Sequence, residues 1–414
     1  MTTPADHLYA APNMLLERSV VVLDTLPNAP MRAPGTAVGL AALEIAVDEL
    51  ATALGIDPIE FRLRNTPHHT AFGKKKISHR SLPELYARGA AEFGWHLRNP
   101  EPGSMRDGRW LVGMGVATAA RDANAMTSDV TVRMSADGTV VVSCAFQDSG
   151  MGTGTAVAQV VADELSVPVD AVEMTYGDSS LPTAPGAFGS MHTASVVNGV
   201  LVACAKLRRQ LDALAKRAGT TGESYPAALQ RTKTPYVEAT VGQGRLAHGV
   251  HQAKALGGFI QDLRKLSRFS SGAHFCEVRV DADTGEVRVS RWLGVFDVGT
   301  ALNKKMVESQ LRGAVVMGIG MALTEETLID PRTGRTMNAH LSDYHVPVHA
   351  DVPQIEIRCL DEPDQSMPVG MYGMGELGVN GAPAAVVNAV YHATGRRIHD
   401  YPITPDKVLG LGST

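Results

Sequence analysis

The sequence predicts an α+β protein, with mixed sheets and packed helices arranged in two subdomains. Three observations predict it. Two strand–turn–strand patterns, at 130–143 and 276–296, each close through a short turn. Several helices carry their own start and stop signals, apart from those strands. No stretch shows the regular strand–helix alternation of a doubly wound parallel sheet.

Within 36–54, Leu40, Leu43, Val47, Leu50 and Leu54 recur at helical spacing and Gly55 follows as a stop, which predicts an amphipathic helix. Asp57-Pro58-Ile59-Glu60 predicts the next helix start, with Asp57 as N-cap, Pro58 at the first helical position and Glu60 at the third. Ser81-Leu82-Pro83-Glu84 repeats that signal for a helix ending near Gly94. The polar stretch 99–108, with its prolines and glycines, predicts a boundary between a first domain, 1–100, and a second, 109–414.

Beyond it, Val130–Met134 and Thr139–Ser143 alternate around an Asp137-Gly138 turn and predict a hairpin. A glycine-rich turn (150–154), a helix over about 155–166, a strand near 171–176, a loop (178–192) and a long helix from near Thr193 follow. The second hairpin turns at Asp283-Thr284-Gly285. Asn303–Glu325 reads as a helix whose Gly313, Gly318 and Gly320 suit close packing or close approach to a ligand. The last helices are predicted at 382–394, stopped by Gly395, and from Pro405 onward with Thr404 as N-cap.

The chain has 414 residues, 44% hydrophobic and 20% charged, which makes it an ordinary globular protein with room for two or three domains. A net charge of −5 with dispersed Lys and Arg argues against nucleic acid as a partner. No apolar stretch approaches the roughly 18 to 20 residues of a membrane helix. The N-terminal sequence lacks a basic stretch followed by an apolar one, so the cytoplasm is expected, or the periplasm only with an exported partner. Cys144, Cys204, Cys276 and Cys359 form no C-x2-C pair and read as small buried apolar residues. His345 and His349 are separated by Pro347, which breaks the helix that would align them on a metal.

Four segments could carry chemistry. Gly150-Met151-Gly152-Thr153-Gly154 runs from a strand into a helix, and its N–H groups could meet a phosphate or form a plain tight turn. Gly186–Ser195 delivers Ser190, Met191, Thr193 and Ser195 to another helix start, for a ligand or for simple capping. Glu376 stands alone among glycines and apolar neighbours in Gly370–Gly381, where partial desolvation would raise its pKa as a general base requires; an exposed turn glutamate is the alternative. Arg32, in Pro30-Met31-Arg32-Ala33-Pro34-Gly35, could orient a carbonyl or carboxylate oxygen or be structural. No G-x-G-x-x-G follows a strand with an acidic residue further on, which argues against a nicotinamide-dependent dehydrogenase.

Taken together and in this order, MRAPG, ALEIAVDELATALGIDPIEFRLRN, GMGTGTAVAQVVADEL, GDSSLPTAPGAFGS, DVGTALNKKMVESQLRGAVVMGIGMALTEE and GMGELGVNGAPAAVVNAVYHATG resemble the molybdenum-binding subunits of the xanthine dehydrogenase/aldehyde oxidase family over essentially the whole chain. The resemblance implies that family's molybdenum-cofactor-binding fold, with 1–100 as the C-terminal part of a first molybdopterin-binding domain and 109–414 as the second. It makes Glu376 the catalytic base beside the cofactor and Arg32 the residue that orients substrate. Gly152, Thr153, Gly154, Ser190, Met191, Thr193, Ser195, Gln310 and Gly375 match segments that hold the pterin dinucleotide. Molybdenum would be held by the pterin's own sulfurs, so no protein metal ligands are expected. Iron–sulfur (2Fe-2S) and FAD centres are expected on partner subunits.

Departures narrow the class. R-A-P-G replaces the R-G-F-G of xanthine dehydrogenases, which disfavours a purine, and Ala33 stands where carbon monoxide dehydrogenases carry a copper-binding cysteine. The R-x-P-G and G-T-G forms look most like bacterial aldehyde oxidoreductases that use a cytosine dinucleotide cofactor. A small aldehyde oxidised with water as oxygen source is thus the expected substrate, with N-heterocycle hydroxylation as the alternative. The chain is much shorter than the subunits it resembles. The expectation is a split half-subunit completed by an N-terminal half, the alternative a truncated non-catalytic remnant or interaction protein.

Overall fold

A computed structural model describes residues 3–24, 29–242 and 266–411. Its central five-stranded sheet runs, edge to edge, Gln354–Leu360, Val287–Asp297, Phe269–Asp281, Trp110–Asp122 and Arg106–Asp107. The first pair is parallel and the other pairs antiparallel, so the sheet is mixed as predicted. A four-stranded sheet runs Val172–Thr175, Val140–Ser143, Val130–Ser135 and Tyr236–Val241, again with its first pair parallel.

One of the two longest strands of this sheet, Trp110–Asp122, was not among the predicted elements. It is buried on both faces, so it lacks the apolar/polar alternation that marks a half-exposed strand. Met114 and Val116 face Leu82, Leu85, Tyr86 and Phe275 on one side. On the other, Gly113 and Gly115 lie against the Ala382–Thr394 helix so closely that a Cβ at either would run into the backbone of Ala385, Ala389 or Ala393. Glycine is required there because two backbones meet. The strands Tyr236–Val241 and Gln354–Leu360 were also missed.

The predicted helices appear as Thr36–Ala53, Pro58–Arg64, Leu82–Phe93, Thr153–Leu165, His192–Ala218, Lys304–Leu323, Ala382–Thr394 and Pro405–Leu409. Asp57 caps as predicted, accepting from the Ile59 and Glu60 amides. Ser81 does not cap, because its hydroxyl donates to the buried Asp297 carboxylate at 2.7 Å, and Thr404 makes no side-chain cap bond. The helices Thr153–Leu165 and His192–Ala218 build one core with the four-stranded sheet. The N-terminal helices cover the five-stranded sheet, so its core is shared across the 99–108 stretch. The four cysteines are free, with three buried and Cys359 partly so.

Inside this core lies one ion-pair network. Glu44 Oε2 accepts from Arg62 Nε and from the Thr118 amide, both at 2.8 Å, while Oε1 accepts from the Tyr9 hydroxyl. Arg62 also donates to the carbonyls of Pro58 at 2.9 Å and Glu44 at 3.0 Å. Burial alone would lower the Arg62 pKa, and Glu44, Tyr9, Tyr86 and Asp48 together more than reverse that, so the guanidinium stands above its ordinary range.

Candidate active site

Arg32 lies in a turn that passes through positive φ at Ala33 (59°) and Gly35 (74°) before the Thr36–Ala53 helix begins. That turn aims the guanidinium at two distant segments. Nε donates to the Gly375 carbonyl at 2.5 Å, and Nη2 donates to the Gln310 carbonyl at 2.9 Å and to its Oε1 at 3.4 Å. Nη1 has only a soft contact with Met317 Sδ at 3.7 Å. Burial lowers the Arg32 pKa and Glu376 opposes that shift; the group stays charged.

Gln310, on the Lys304–Leu323 helix, reaches the other way and donates to the Gly150 carbonyl at 3.4 Å. Thr153 and Thr193 share a hydroxyl–hydroxyl bond of 2.9 Å, which ties the glycine-rich turn to the second loop. Ser190, at φ 55°, accepts from the Glu376 amide at 2.9 Å and approaches its Oε2 at 3.5 Å. Gly373 must be glycine because a Cβ there would collide with the Ser190 carbonyl. Arg32, the 150–154 turn, Ser190 and Thr193, Gln310, Gly375 and Glu376 are thereby linked by a chain of contacts.

Two expected contributors do not reach this cluster with a free side chain. Ser195 is fully buried, and its hydroxyl donates to the Met191 carbonyl at 2.7 Å while accepting from the Met126 amide at 2.9 Å. Thr153 is also fully buried and its hydroxyl is engaged by Thr193. The amides of the glycine-rich turn are not free donors either. Asp148 Oδ1 accepts from Gly150 N at 3.0 Å and Gly152 N at 3.1 Å, and Oδ2 from Gly154 N at 3.4 Å. An aspartate just ahead of glycines is the sequence mark of such a turn.

The contributor missed entirely is Arg121. Its Nε donates to Glu376 Oε2 at 2.7 Å, Nη2 stands 2.6 Å from the same oxygen, and Nη1 donates to Thr36 Oγ1 at 3.0 Å. Both side chains of the pair are 14% exposed. Arg121 is a lone cation closing a run of apolar and small residues, the same signal that singled out Glu376. Among the described residues no group of three His, Cys, Asp or Glu could hold a metal ion.

Residues 88–353 match the family described as molybdopterin cofactor-binding domain, and 1–66 match a second of the same description. The chain is 40% identical, over 98% of its length and 55% of the relative's, to the aldehyde oxidoreductase molybdenum-binding subunit PaoC of Escherichia coli (strain K12). It is 30% identical to the putative xanthine dehydrogenase molybdenum-binding subunit XdhA of the same organism, covering 92% of this chain and 53% of that protein. The structure of quinoline 2-oxidoreductase from Pseudomonas putida 86 superposes with a TM-score of 0.75 at 25% identity, over 92% of this chain and 52% of that one. The chain therefore spans about half the length of the curated relatives it matches.

Proposed function

This chain belongs to the molybdopterin cofactor-binding family, and on that premise we propose that it forms part of the molybdenum-binding subunit of a hydroxylase that oxidises aldehydes to carboxylic acids with water as the oxygen source. Glu376 is its general base and Arg32 orients the substrate. The observation that carries this is the meeting of Arg32, Gln310, Gly375 and Glu376 from three separate parts of the chain.

The donor set suits an organic dinucleotide. Gly150 and Gly189 have positive φ and no atom closer than 4.0 Å to where a Cβ would stand, so a ligand can approach the backbone at both. The residues proposed to hold the cofactor are Gly152, Gly154, Ser190, Met191, Thr193, Gln310 and Gly375, with Thr153 contributing its place at a helix start. Binding phosphate through the amides of the glycine-rich turn requires the Asp148 carboxylate to give way. When bound, the molybdenum cofactor, proposed in its cytosine dinucleotide form, supplies the two-electron acceptor. Glu376 takes up a proton, and a carboxylate with few competing partners is suited to that. Arg32, fixed through Nε and Nη2, has Nη1 left to donate to a substrate oxygen, where permanent charge stabilises the oxygen as it gains electron density.

The complete enzyme would include the half of the relatives' length that this chain does not span, together with 2Fe-2S and FAD subunits that receive the electrons. An apolar run outside any helix or strand, Val20, Val21, Val22 and Leu23, each at least 65% exposed, supports a covering partner segment. We take 1–100 and 109–414 as the two molybdopterin-binding portions. No helix of the described residues is long and apolar enough to cross a membrane.

The test is Glu376→Gln in the assembled enzyme. Turnover of an aromatic or aliphatic aldehyde should fall by about 10²- to 10⁴-fold with molybdenum content unchanged. Near-normal turnover would remove the assignment. If N-heterocycles were turned over and aldehydes were not, the substrate class would be overturned.

A further inference from the structure

We propose that His274 and Asn380 are positioning residues: together they clamp the loop carrying Glu376 onto two adjacent strands of the five-stranded sheet. The inference rests on Glu376 being the base. Asn380 closes the short segment that starts at Glu376. Two turn bonds tie that segment together, from Leu377 N to the Met374 carbonyl and from Asn380 N to the Leu377 carbonyl, both at 3.0 Å. Asn380 then reaches both strands at once. Its Nδ2 donates to the Ala120 carbonyl of Trp110–Asp122 at 2.9 Å, and its main-chain carbonyl accepts from His274 Nε2 of Phe269–Asp281 at 3.0 Å. The two strands are paired directly, with His274 opposite Ala117, and both clamp residues are 0% exposed.

Neither residue is what packing alone would select. A carbonyl oxygen can only accept, so the ring proton of His274 sits on Nε2 and Nδ1 is left as an acceptor. That buried Nδ1 has no hydrogen-bond partner among the described residues, and neither has Asn380 Oδ1. An orphaned buried polar atom lowers stability, and an apolar side chain in either place would carry none. Burial holds the His274 pKa down to about 4, so the ring is neutral at pH 7. Trp292 and Phe296 pack edge-on against it, with ring centroids 5.4 and 5.3 Å away, which fixes its plane. What the two polar side chains contribute is a fixed place for the loop. Ser190 Oγ accepts from the Glu376 amide at 2.9 Å, and the clamp holds the far end of the same segment. A glycine-rich loop fixed at both ends has already lost the orientational freedom that a base must lose before reaction.

The test separates turnover from stability in three variants. His274→Phe keeps a ring and removes the donor, His274→Gln restores an amide N–H near the place of Nε2, and Asn380→Ala releases the Ala120 carbonyl. In the assembled enzyme, kcat per molybdenum should fall by about 10- to 100-fold in His274→Phe and Asn380→Ala with KM changed by less than about threefold, and His274→Gln should recover most of the loss. Urea unfolding of the full chain without cofactor should show His274→Phe changing the folding equilibrium constant by no more than about tenfold, because removing an orphaned nitrogen offsets removing one hydrogen bond. Wild-type kcat in His274→Phe and Asn380→Ala, beside an inactive Glu376→Gln, overturns the clamp and leaves the base assignment standing. If Glu376→Gln is active as well, the base assignment itself is lost. Activity that falls only in step with molybdenum content, or a loss in His274→Gln as large as in His274→Phe, makes both residues structural and the proposal fails. Should His274→Phe not fold, His274→Leu carries the same comparison.

Discussion

Two of the buried carboxylate–guanidinium pairs among the described residues, Glu44–Arg62 and Glu376–Arg121, are built differently. Glu44 and Arg62 are 0% and 1% exposed, and both oxygens of Glu44 are occupied by Arg62, Thr118 and Tyr9. Glu376 and Arg121 are each 14% exposed, and only one oxygen of Glu376 is engaged within the described residues. A saturated carboxylate can accept a proton only by giving up a bond that holds the fold. A half-saturated one can accept it and keep its place. Burial and pairing alone do not distinguish the two carboxylates; the unoccupied oxygen of Glu376 does.

Replacing each glutamate by its isosteric amide breaks the comparison open. The largest effect is the loss of turnover in Glu376→Gln described above. Next comes Glu44→Gln, which strands a buried guanidinium and should cost about 3 to 5 kcal/mol of stability, read as a lower urea midpoint. An unchanged midpoint would mean that the Arg62 network contributes nothing to the fold.

Acid probes both regions at once. Burial holds His274 at about 4, against an ordinary value of 6.5, with its bond to the Asn380 carbonyl opposing the shift. Burial and the nearby Arg98 hold His392 at about 4 as well. His274 touches the loop that follows Glu376, and His392 lies one turn beyond Asn388, which donates to the Glu44 carbonyl at 3.4 Å. The unfolded chain takes up these protons below about 6.5 and the folded one only near 4. Stability is therefore unaffected above that window and falls as pH drops through it, by about 2 kcal/mol for each histidine at pH 5. Urea midpoints at pH 7 and pH 5 check this, and equal midpoints would contradict it. The smallest effect is on the stability of Glu376→Gln, about 1 to 2 kcal/mol, because its pair is partly solvated and one oxygen has nothing to lose.

Much of this was legible in the sequence wherever local signals and tertiary context agree. The Thr36–Ala53 and Ala382–Thr394 helices, both hairpins and the glycine-flanked Glu376 all follow from spacing and turn chemistry. The Trp110–Asp122 strand escaped because glycine and alanine, poor strand formers, are there to admit a neighbouring helix. Arg121 escaped with it, since its meaning depends on a strand end and a loop 255 residues away in sequence. Ser81 and Thr404 carry capping side chains, yet a partner such as Asp297 can outcompete a helix amide, and spacing cannot reveal that. Asp148 occupies the very amides expected to meet a phosphate, which depends on how the turn folds back on the residue ahead of it.

The contact between Gly113, Gly115 and the Ala382–Thr394 helix bears on how the ion pair is kept in register. Arg121 closes that strand and Glu376 sits just ahead of that helix, whose capping Gly381 presses on the Thr118 carbonyl. Main chain abuts main chain with no rotamer in between. The spacing of the two roots thus has no adjustable spring: it stays constant as side chains elsewhere fluctuate, and it fails only when the sheet and the helix come apart together.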